Sequence, residues 1–339
     1  MAAWTFGGRV SGLPVSLLPW GVRWRRDAFT AAGIPPPASD WTYDDFRSAG
    51  ARVQALAASG HLKGLGSALG PIALPLPGSP HTVAPGLIEG PKGGVFAPAL
   101  VVGTGLWQGF VWGFGGSVAH RGRFFLTAPQ TVAALQQLVD LAREYSVPAR
   151  YMSALPTDTP PAAWDAAVRS LFAMEFAPYN SGYPLPAGWA WARLPRFPVE
   201  PVVPTQSTAV AVEASKPGGA PPAPDAPETL AAARFGVWLD SAAGIAVTAP
   251  RGLAPALAAP SIQTTFWTGR SLDGAAALGD WHQFRGVYDG FPAIPSRDYV
   301  AQALSDAMAG TANLADALAG AEKRMNAELL PSSPGSAQR

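Results

Sequence analysis

Residues 8–60 read "GRVSGLPVSLLPWGVRWRRDAFTAAGIPPPASDWTYDDFRSAGARVQALAASG", and the pattern of this segment changes along its length. The alternation over residues 8–18 predicts a turn followed by a strand. Residues 22–33 predict a short helix, because a final glycine followed by prolines is a common helix stop. A second helix is predicted after the prolines, with Ser39 or Asp40 as its N-cap and acidic residues in its first turn. The segment therefore indicates a chain that mixes strands and helices.

The composition bounds the size and the partners of the protein. A chain of 339 residues that is 48% hydrophobic can bury two cores, so two lobes are expected. A net charge of +1, from 24 basic and 23 acidic residues without long runs, gives no electrostatic reason to expect nucleic acid as a partner. The absence of cysteine excludes disulfides and thiolate chemistry. The four histidines are far apart, so no metal site is expected.

Further along the chain, elements of both kinds alternate. The uncharged run Gly93–His120 is long enough for a membrane span, but its glycines favour a buried helix with glycine-rich ends. Other helices are predicted over residues 127–146, 160–179 and 228–244, and a strand over residues 208–215. The last part of the chain predicts two helices split at Gly310–Thr311, with Asn313 as a possible cap of the second. The order of elements predicts a mixed α/β fold.

No catalytic or nucleotide-binding motif stands out. The glycines of "GTGLWQG", residues 103–109, have the wrong spacing for a dinucleotide loop. The acidic pair Asp44–Asp45 is better explained by a helix dipole than by acid–base catalysis. The sequence therefore gives no support for an enzyme, and no cofactor is expected.

Aromatic residues at loops and element ends are the strongest sign of a binding function. Beside polar neighbours such as Gln108, Asn180 and Ser181, they suit a ligand with CH faces and hydroxyl edges, which is a sugar. Taken singly, each aromatic is also explained by core packing. The set comprises Trp20, Trp107, Trp112, Tyr183, Trp189, Trp191 and Tyr299.

Several short motifs, in order, resemble the extracellular solute-binding proteins of carbohydrate ABC importers, the maltose-binding-like group. They include Gly12-Leu13-Pro14, the run from Trp24 to Phe29, Gly33-Ile34 with its prolines, and the helix opening at Trp41. "WGFGGSV", "LQQLVDLAREYSVPA", "ETLAAARFGVWLDSAAG" and the closing "AMAGTANLADALAGAEKRMNAEL" continue the likeness, which covers about residues 8 to 330. The segment "AAVRSLFAMEFAPYNSGY" matches the family only in part, which leaves the register of Tyr183 open.

The resemblance implies an α/β, two-lobed periplasmic-binding-protein type II fold with hinge crossings near Pro14–Leu18 and Thr208–Ala214. It assigns residues 1–16 and 211–290 to an incomplete N-terminal lobe, residues 17–210 and 291–331 to the C-terminal lobe, and residues 332–339 to a disordered tail. In this family the proline run would aim the chain, and Trp41 would pack at the start of the next helix as a structural staple. Family members carry about 100 further residues before the Gly-Leu-Pro strand. A late start, a truncation or a short form is therefore expected.

The function implied by the resemblance is the substrate-binding component of an ABC importer, with no chemical step. The protein would bind a carbohydrate between its lobes, close at the hinge and dock on the permease subunits as a monomer. Its place would be periplasmic or extracellular, free or lipid-anchored. The alternative is a truncated or degenerate relative that binds no sugar and serves as an interaction module or has no function. The implied ligand-binding residues are Trp20, Trp107, Trp112, Gly115, Gly116, Asn180, Tyr183 and Tyr299.

Overall fold

The computed structural model describes a little over half of the chain, in sixteen segments that form strands, helices and their connections. These are residues 5–6, 9–10, 13–59, 72–76, 79–83, 99–100, 104–120, 122–144, 173–179, 185, 187–210, 226–239, 241–248, 254–255, 284–286 and 298–329. The strands are β1 Thr5–Phe6, β2 Arg9–Val10, β3 Leu13–Arg25, β4 Ile72–Leu76, β5 Ser79–Val83, β6 Ala99–Leu100, β7 Ala119–His120, β8 Arg123–Phe124, β9 Met174–Pro178, β10 Trp189–Arg193, β11 Val203–Val210, β12 Ala254–Pro255 and β13 Phe284–Gly286. The helices are α1 Arg26–Ala31, α2 Tyr43–Ala58, α3 Thr104–Gly113, α4 Pro129–Glu144, α5 Pro227–Leu239, α6 Ala242–Thr248, α7 Tyr299–Met308 and α8 Leu314–Leu329.

Strand β3 is the centre of the described fold. Its first half, Leu13–Pro19, pairs antiparallel with β11, and β12 pairs with the same half. Its second half, Trp20–Arg25, pairs antiparallel with β9 and β10 instead. In the described sheet the order β13-β11-β3-β9-β6 follows from this exchange of partners. One strand therefore connects two different sets of neighbours, and the exchange occurs between Pro19 and Trp20.

Of the two segments that the sequence analysis assigned to hinge crossings, Pro14–Leu18 and the described part of the second, residues 208–210, lie side by side in this sheet. The ladder between β3 and β11 shifts register between Thr208 and Ala209, where Thr208 pairs with Ser16 and Ala209 pairs with Pro14. Val15 is left without an opposite residue, which is a β-bulge.

The helix predicted over residues 22–33 is shorter in the structure. Residues 22–25 continue β3, and α1 begins only at Arg26. The glycine and prolines correctly predicted where the helix stops but not where it starts, because Arg23 forms an ion pair with Glu175 of β9 and this stretch pairs with that distant strand. Gly33 does end the helical segment, with a φ of +62° that favours glycine.

Helix α2 begins later than predicted, and its cap is a different residue. Neither Ser39 nor Asp40 caps it. Thr42 and Asp45 form a capping box in which the Thr42 backbone N–H donates to the Asp45 carboxylate at 2.8 Å and the Asp45 N–H donates to the Thr42 hydroxyl at 3.1 Å. The Thr42 backbone N–H and the Thr42 hydroxyl both donate to the Asp45 carboxylate, and these two hydrogen bonds lower the pKa of Asp45. The helix thus begins several residues after the prolines, and Thr42 is the residue that caps it.

Trp41 packs at the start of this helix, as the sequence analysis predicted. Its ring is buried and lies 5.7 Å from the ring of Phe46 in an edge-to-face arrangement. Its indole N–H donates to the carbonyl oxygen of Arg193 at 2.9 Å. Trp41 therefore fixes the start of α2 against the end of β10.

Helix α3 lies inside the larger core, which confirms the prediction of a buried helix for the middle of the run Gly93–His120, whereas Ala99–Leu100 and Ala119–His120 of the same run are strands. Glycines recur at every fourth position and let the helix lie directly on its neighbours. A Cβ atom at Gly105 would lie 2.0 Å from Nε1 of Trp20, and one at Gly109 would lie 2.7 Å from the ring of Pro204. None of the helices that the structure describes is long and apolar enough to cross a membrane.

The remaining helices match the sequence analysis in part. The predicted inward face of α4 is buried, and Asn313 caps α8 by accepting from the backbone N–H of Ala315 at 2.9 Å. Met174–Pro178, predicted as the end of a helix, is instead strand β9, because pairing with β3 outweighs the helix preference of its residues. Residues 160–172 and the predicted tail at 332–339 lie outside the described residues.

Candidate functional site

Trp20 lies at the point where β3 changes partners. Its side chain is 3% exposed, and its Nε1 has no hydrogen-bond acceptor among the residues that the structure describes. The closeness of Nε1 to Gly105 shows that this N–H group faces the first turn of α3. A buried donor without an acceptor is costly by about 1–3 kcal/mol. Trp20 is thus the one predicted site residue with a hydrogen-bonding group still to be satisfied, among those described.

Trp107 and Trp112 lie on α3, and both side chains pack in the hydrophobic core in this conformation. Trp107 is 0% exposed, and its indole N–H donates to both carboxylate oxygens of Asp298 at 3.1 and 3.2 Å. Trp112 is 4% exposed, and the guanidinium of Arg285 lies 4.3 Å from its ring centroid. Neither ring offers a face to solvent, so their contact with a ligand stays a prediction.

The glycines after α3 shape a turn. Gly115 has a φ of +80°, and a Cβ atom at Gly116 would lie 3.0 Å from the Cα atom of Thr131. Both positions therefore have a structural reason to be glycine. A ten-residue helix is about 15 Å long, so these glycines and Trp20 stand at opposite ends of α3.

Tyr299 is half-buried at the start of α7. Its hydroxyl donates to the carboxylate of Glu328 at 2.7 Å, and Arg324 lies 5.7 Å from its ring centroid. It neighbours Asp298, the acceptor for Trp107, so the structure places Trp107 and Tyr299 in one region. Asn180 and Tyr183 lie outside the described residues. The predicted set is therefore distributed along α3, with Trp20 at one end.

A polar and aromatic row crosses the second half of the sheet, and of its members the sequence analysis had singled out only Trp191. Arg23 on β3 stands opposite Glu175 on β9 and Trp191 on β10. Its Nε donates to the Glu175 carboxylate at 2.6 Å, and Glu175 is 1% exposed. The Trp191 ring lies 5.1 Å from that of Tyr179. The row ends at Tyr179, which precedes the predicted residue Asn180 in the sequence, and the pairing of distant strands brings its members together.

Metal chemistry finds no support in the part of the chain that is described. Its His, Asp and Glu side chains form no group of three or more that could hold a metal ion.

Comparison with known proteins shows which solved structures share this fold. No protein-family model and no curated protein sequence matches the chain. Among solved structures, an ABC substrate-binding protein from Listeria monocytogenes in complex with cycloalternan matches with a TM-score of 0.63 and 15% identity, over 96% of this chain and 73% of its own. The cyclic α-maltosyl-1,6-maltose binding protein from Arthrobacter globiformis matches with a TM-score of 0.61 and 18% identity, over 97% and 75%. This chain has the two-lobed α/β fold of solute-binding proteins.

The ligands of proteins with this fold differ. UgpB from Mycobacterium tuberculosis, in complex with glycerophosphocholine, matches with a TM-score of 0.61 and 17% identity over 96% of this chain and 72% of its own. Its ligand is not an oligosaccharide. The fold therefore does not by itself fix the ligand class, which has to be argued from the residues of the site.

Proposed function

We propose that this protein is the substrate-binding component of an ABC importer. It binds a sugar or oligosaccharide between its lobes, closes at the hinge and delivers the ligand to the permease on the periplasmic or extracellular side of the membrane. The observation that carries the proposal is the match of nearly the whole chain to solute-binding proteins, several of them with bound carbohydrates. The exchange of partners along β3 supports it, because a strand shared by two sets of neighbours can act as a hinge.

Trp20 is the proposed centre of the binding site. Its unsatisfied N–H faces the first turn of α3, where helix backbone N–H groups also lack intrahelical acceptors. A ligand oxygen placed there would accept from both, and a sugar hydroxyl is such an oxygen. Tyr299, Asn180 and Tyr183 are proposed to complete the site from neighbouring segments, with the described tryptophans of α3 behind them.

A thermal-shift scan against mono- and oligosaccharides tests this function. A ligand at 100 times its dissociation constant stabilises the folded protein by about 2.7 kcal/mol, which raises the unfolding midpoint visibly. Glycerophosphocholine belongs in the panel, because a protein of the same fold was solved with it. A shift with a sugar class supports the proposal. A shift with glycerophosphocholine alone would mean that the ligand is a phosphodiester and not a sugar.

A matched pair of variants tests the role of Trp20. Trp20→Phe removes an N–H that has no acceptor among the described residues, whereas Trp41→Phe removes one that bonds to the Arg193 carbonyl. We expect Trp20→Phe to weaken sugar binding about tenfold, the equivalent of one hydrogen bond. Trp41→Phe should leave the affinity unchanged but cost about 1 kcal/mol more stability than Trp20→Phe. Equal effects of the two variants on affinity would remove Trp20 from the site.

The alternative, a relative that binds no sugar and acts as an interaction module, is favoured by a separate observation. Helix α5 exposes Phe235 at 55% and Trp238 at 41%, and the two rings stack 5.8 Å apart. Exposed aromatic patches are common at protein interfaces. A purified chain that unfolds cooperatively but responds to no ligand of the panel would favour this function over the transporter.

A further inference from the structure

The first turn of α3 is the positive end of a helix that lies in the core. The helix has ten residues, and its first turn contains no acidic residue. The first N–H groups of a helix lack intrahelical acceptors, and the helix dipole adds partial positive charge there. In α1, α2 and α8 the first turn contains one or two aspartates, which complement that charge. The first turn of α3 lacks this complement.

A buried donor is directed at this turn. Trp20 is 3% exposed, and its indole Nε1 has no hydrogen-bond acceptor among the residues that the structure describes. A Cβ atom at Gly105 would lie 2.7 Å from Cε2 and 2.9 Å from Cδ1 of this indole, and closer still to Nε1. The N–H edge of the ring therefore rests directly on the helix backbone, an approach that glycine makes possible. Two sets of hydrogen-bond donors thus lie side by side.

Apolar side chains close this place to solvent. Leu106 in the first turn of α3 is fully buried, and so is Val22, which lies on the same face of β3 as Trp20. A hydrogen bond in such surroundings is stronger than in water, and a polar group without a partner is correspondingly costly. The two sets of donors therefore favour a ligand group that accepts hydrogen bonds from both.

A carboxylate of the protein lies near this helix but on its other side. Asp298 accepts from the indole N–H of Trp107 at 3.1 and 3.2 Å. Trp107 follows Gly105 by two residues, which is a rotation of about 200° around the helix axis. Its side chain therefore leaves the helix on the side opposite to Trp20. The contact with Asp298 does not supply an acceptor to the Trp20 indole.

The chemistry of the donors favours a carboxylate over a hydroxyl group. A hydroxyl group also donates, so its own hydrogen would need an acceptor in this buried place. An ionised carboxylate only accepts, and its two oxygens match the indole N–H and the backbone N–H groups. Helix N-termini are common binding sites for anions. A helix end carries about half a positive charge, which complements one negative charge better than the nearly two charges of a phosphate monoester.

We infer that the ligand of the proposed binding site is a sugar acid, whose carboxylate accepts hydrogen bonds from the Trp20 indole N–H and from the first turn of α3. The inference rests on the proposed function and names its substrate class, a uronic acid or an oligosaccharide that contains one. The carboxylate enters between the indole and the turn, which are in contact in this conformation. The hydroxyl groups of the same sugar are left to the other predicted residues of the site.

Isothermal titration calorimetry with uronic acids and their methyl esters tests the inference. The probes are galacturonate, digalacturonate and glucuronate, each with its methyl ester, and galactose and glucose as neutral counterparts. Esterification keeps the sugar and removes the charge. We expect at least one acid to bind about tenfold or more tightly than its own ester and than the neutral sugar.

The failure of this inference is distinguishable from the failure of the proposed function. Binding of a neutral sugar or an ester that equals or exceeds binding of the acids would overturn the sugar acid and leave the transport function standing. Absence of binding by every acid, ester and neutral sugar at roughly 1 mM would overturn both. Binding of glucose 6-phosphate without binding of any uronate would overturn the carboxylate in favour of a phosphate.

Trp20→Phe separates recognition of the carboxylate from a general effect on folding. Loss of the indole N–H should weaken the acid about tenfold and its ester by less, so the preference for the acid falls. Trp41→Phe is the control, because its indole N–H bonds to the Arg193 carbonyl, and it should leave the preference unchanged. A Trp20→Phe protein that keeps the full preference would overturn the inference.

Amide hydrogen exchange of the wild-type protein gives a measurement that needs no variant. The N–H groups of Gly105 and Leu106 should exchange more slowly with a uronate bound than with its ester bound at equal occupancy. The reason is that a charged carboxylate accepts the stronger hydrogen bond. Equal exchange of these two amides in both complexes would overturn the placement of the carboxylate at α3.

Discussion

The glycine face of α3 leads to a direct prediction for Gly113. A Cβ atom at this position would lie 2.3–2.5 Å from three atoms of Phe197, well inside van der Waals contact. The Phe197 ring has little freedom to move away. Its centroid lies 5.1 Å from that of Phe110, 5.6 Å from that of Phe114 and 6.0 Å from that of Tyr43.

Two opposing effects set the size of the change in Gly113→Ala. Alanine is favoured over glycine by up to about 1 kcal/mol inside a helix. Inserting a methyl group into a packed core costs about 1–3 kcal/mol. Because the methyl group would overlap ring atoms that are held by other rings, we expect the second effect to prevail and the free energy of unfolding to fall by about 1–2 kcal/mol.

Urea unfolding followed by circular dichroism measures this difference, with Gly320→Ala as the matched control. Gly320 lies within α8, and a Cβ atom there would meet nothing within 4 Å. That substitution should stabilise the protein by about 0.4–1 kcal/mol. Combining Gly113→Ala with Phe197→Leu should recover part of the loss, since the two sites are in contact. If Gly113→Ala is as stabilising as Gly320→Ala, the close packing of α3 is wrong.

Two further predictions concern hydrogen bonds to carboxylates. Because the pKa of Asp45 is lowered in the folded state, its hydrogen bonds with Thr42 contribute stability above the unfolded-state pKa, and this contribution is lost as the pH falls through the folded-state pKa. The difference in urea midpoint between the wild type and Asp45→Asn should therefore shrink below about pH 4. A difference that is constant with pH would contradict the assignment. Trp107→Phe removes the donor to the Asp298 carboxylate and should cost about 1.5–3 kcal/mol beyond the loss in Trp112→Phe, measured by the same unfolding assay. Equal losses in the two variants would mean that this hydrogen bond adds nothing.

The parts of the fold that the sequence predicted are those whose pattern is local. Helices α4 and α8 carry a regular apolar face, and the cap at Asn313 is a short-range signal. Residues 22–25 of β3 and strand β9 were predicted as helix, because the contacts that make them strands join distant parts of the chain. Arg23 and Glu175 are separated by 152 residues and meet across the ladder. The pattern of residues within a short stretch of sequence cannot predict a pair that is this far apart along the chain.

The candidate site was predicted less well than the fold, for a related reason. The sequence analysis counted Trp107 and Trp112 among the aromatics at loops and element ends, but both lie within helix α3, in the run that it also interpreted as a buried helix. The signal that could have corrected this is the spacing of Gly105, Gly109 and Gly113, since glycine at every fourth position marks a helix face that lies against other backbone. The ligand roles of these tryptophans are untested, whereas their packing is visible.

The burial of Trp20 bears on how a ligand would reach it. In this conformation the ring is closed to solvent, so binding at its N–H requires β3 to bend or the residues over it to move. The first half of β3 has features that ease bending, because Pro14 and Pro19 have no N–H to donate and Val15 stands without an opposite residue. The bend would then lie directly before Trp20. A strand that exchanges partners at a tryptophan, with two prolines and a bulge ahead of it, would couple bending of the proposed hinge to access to the proposed site.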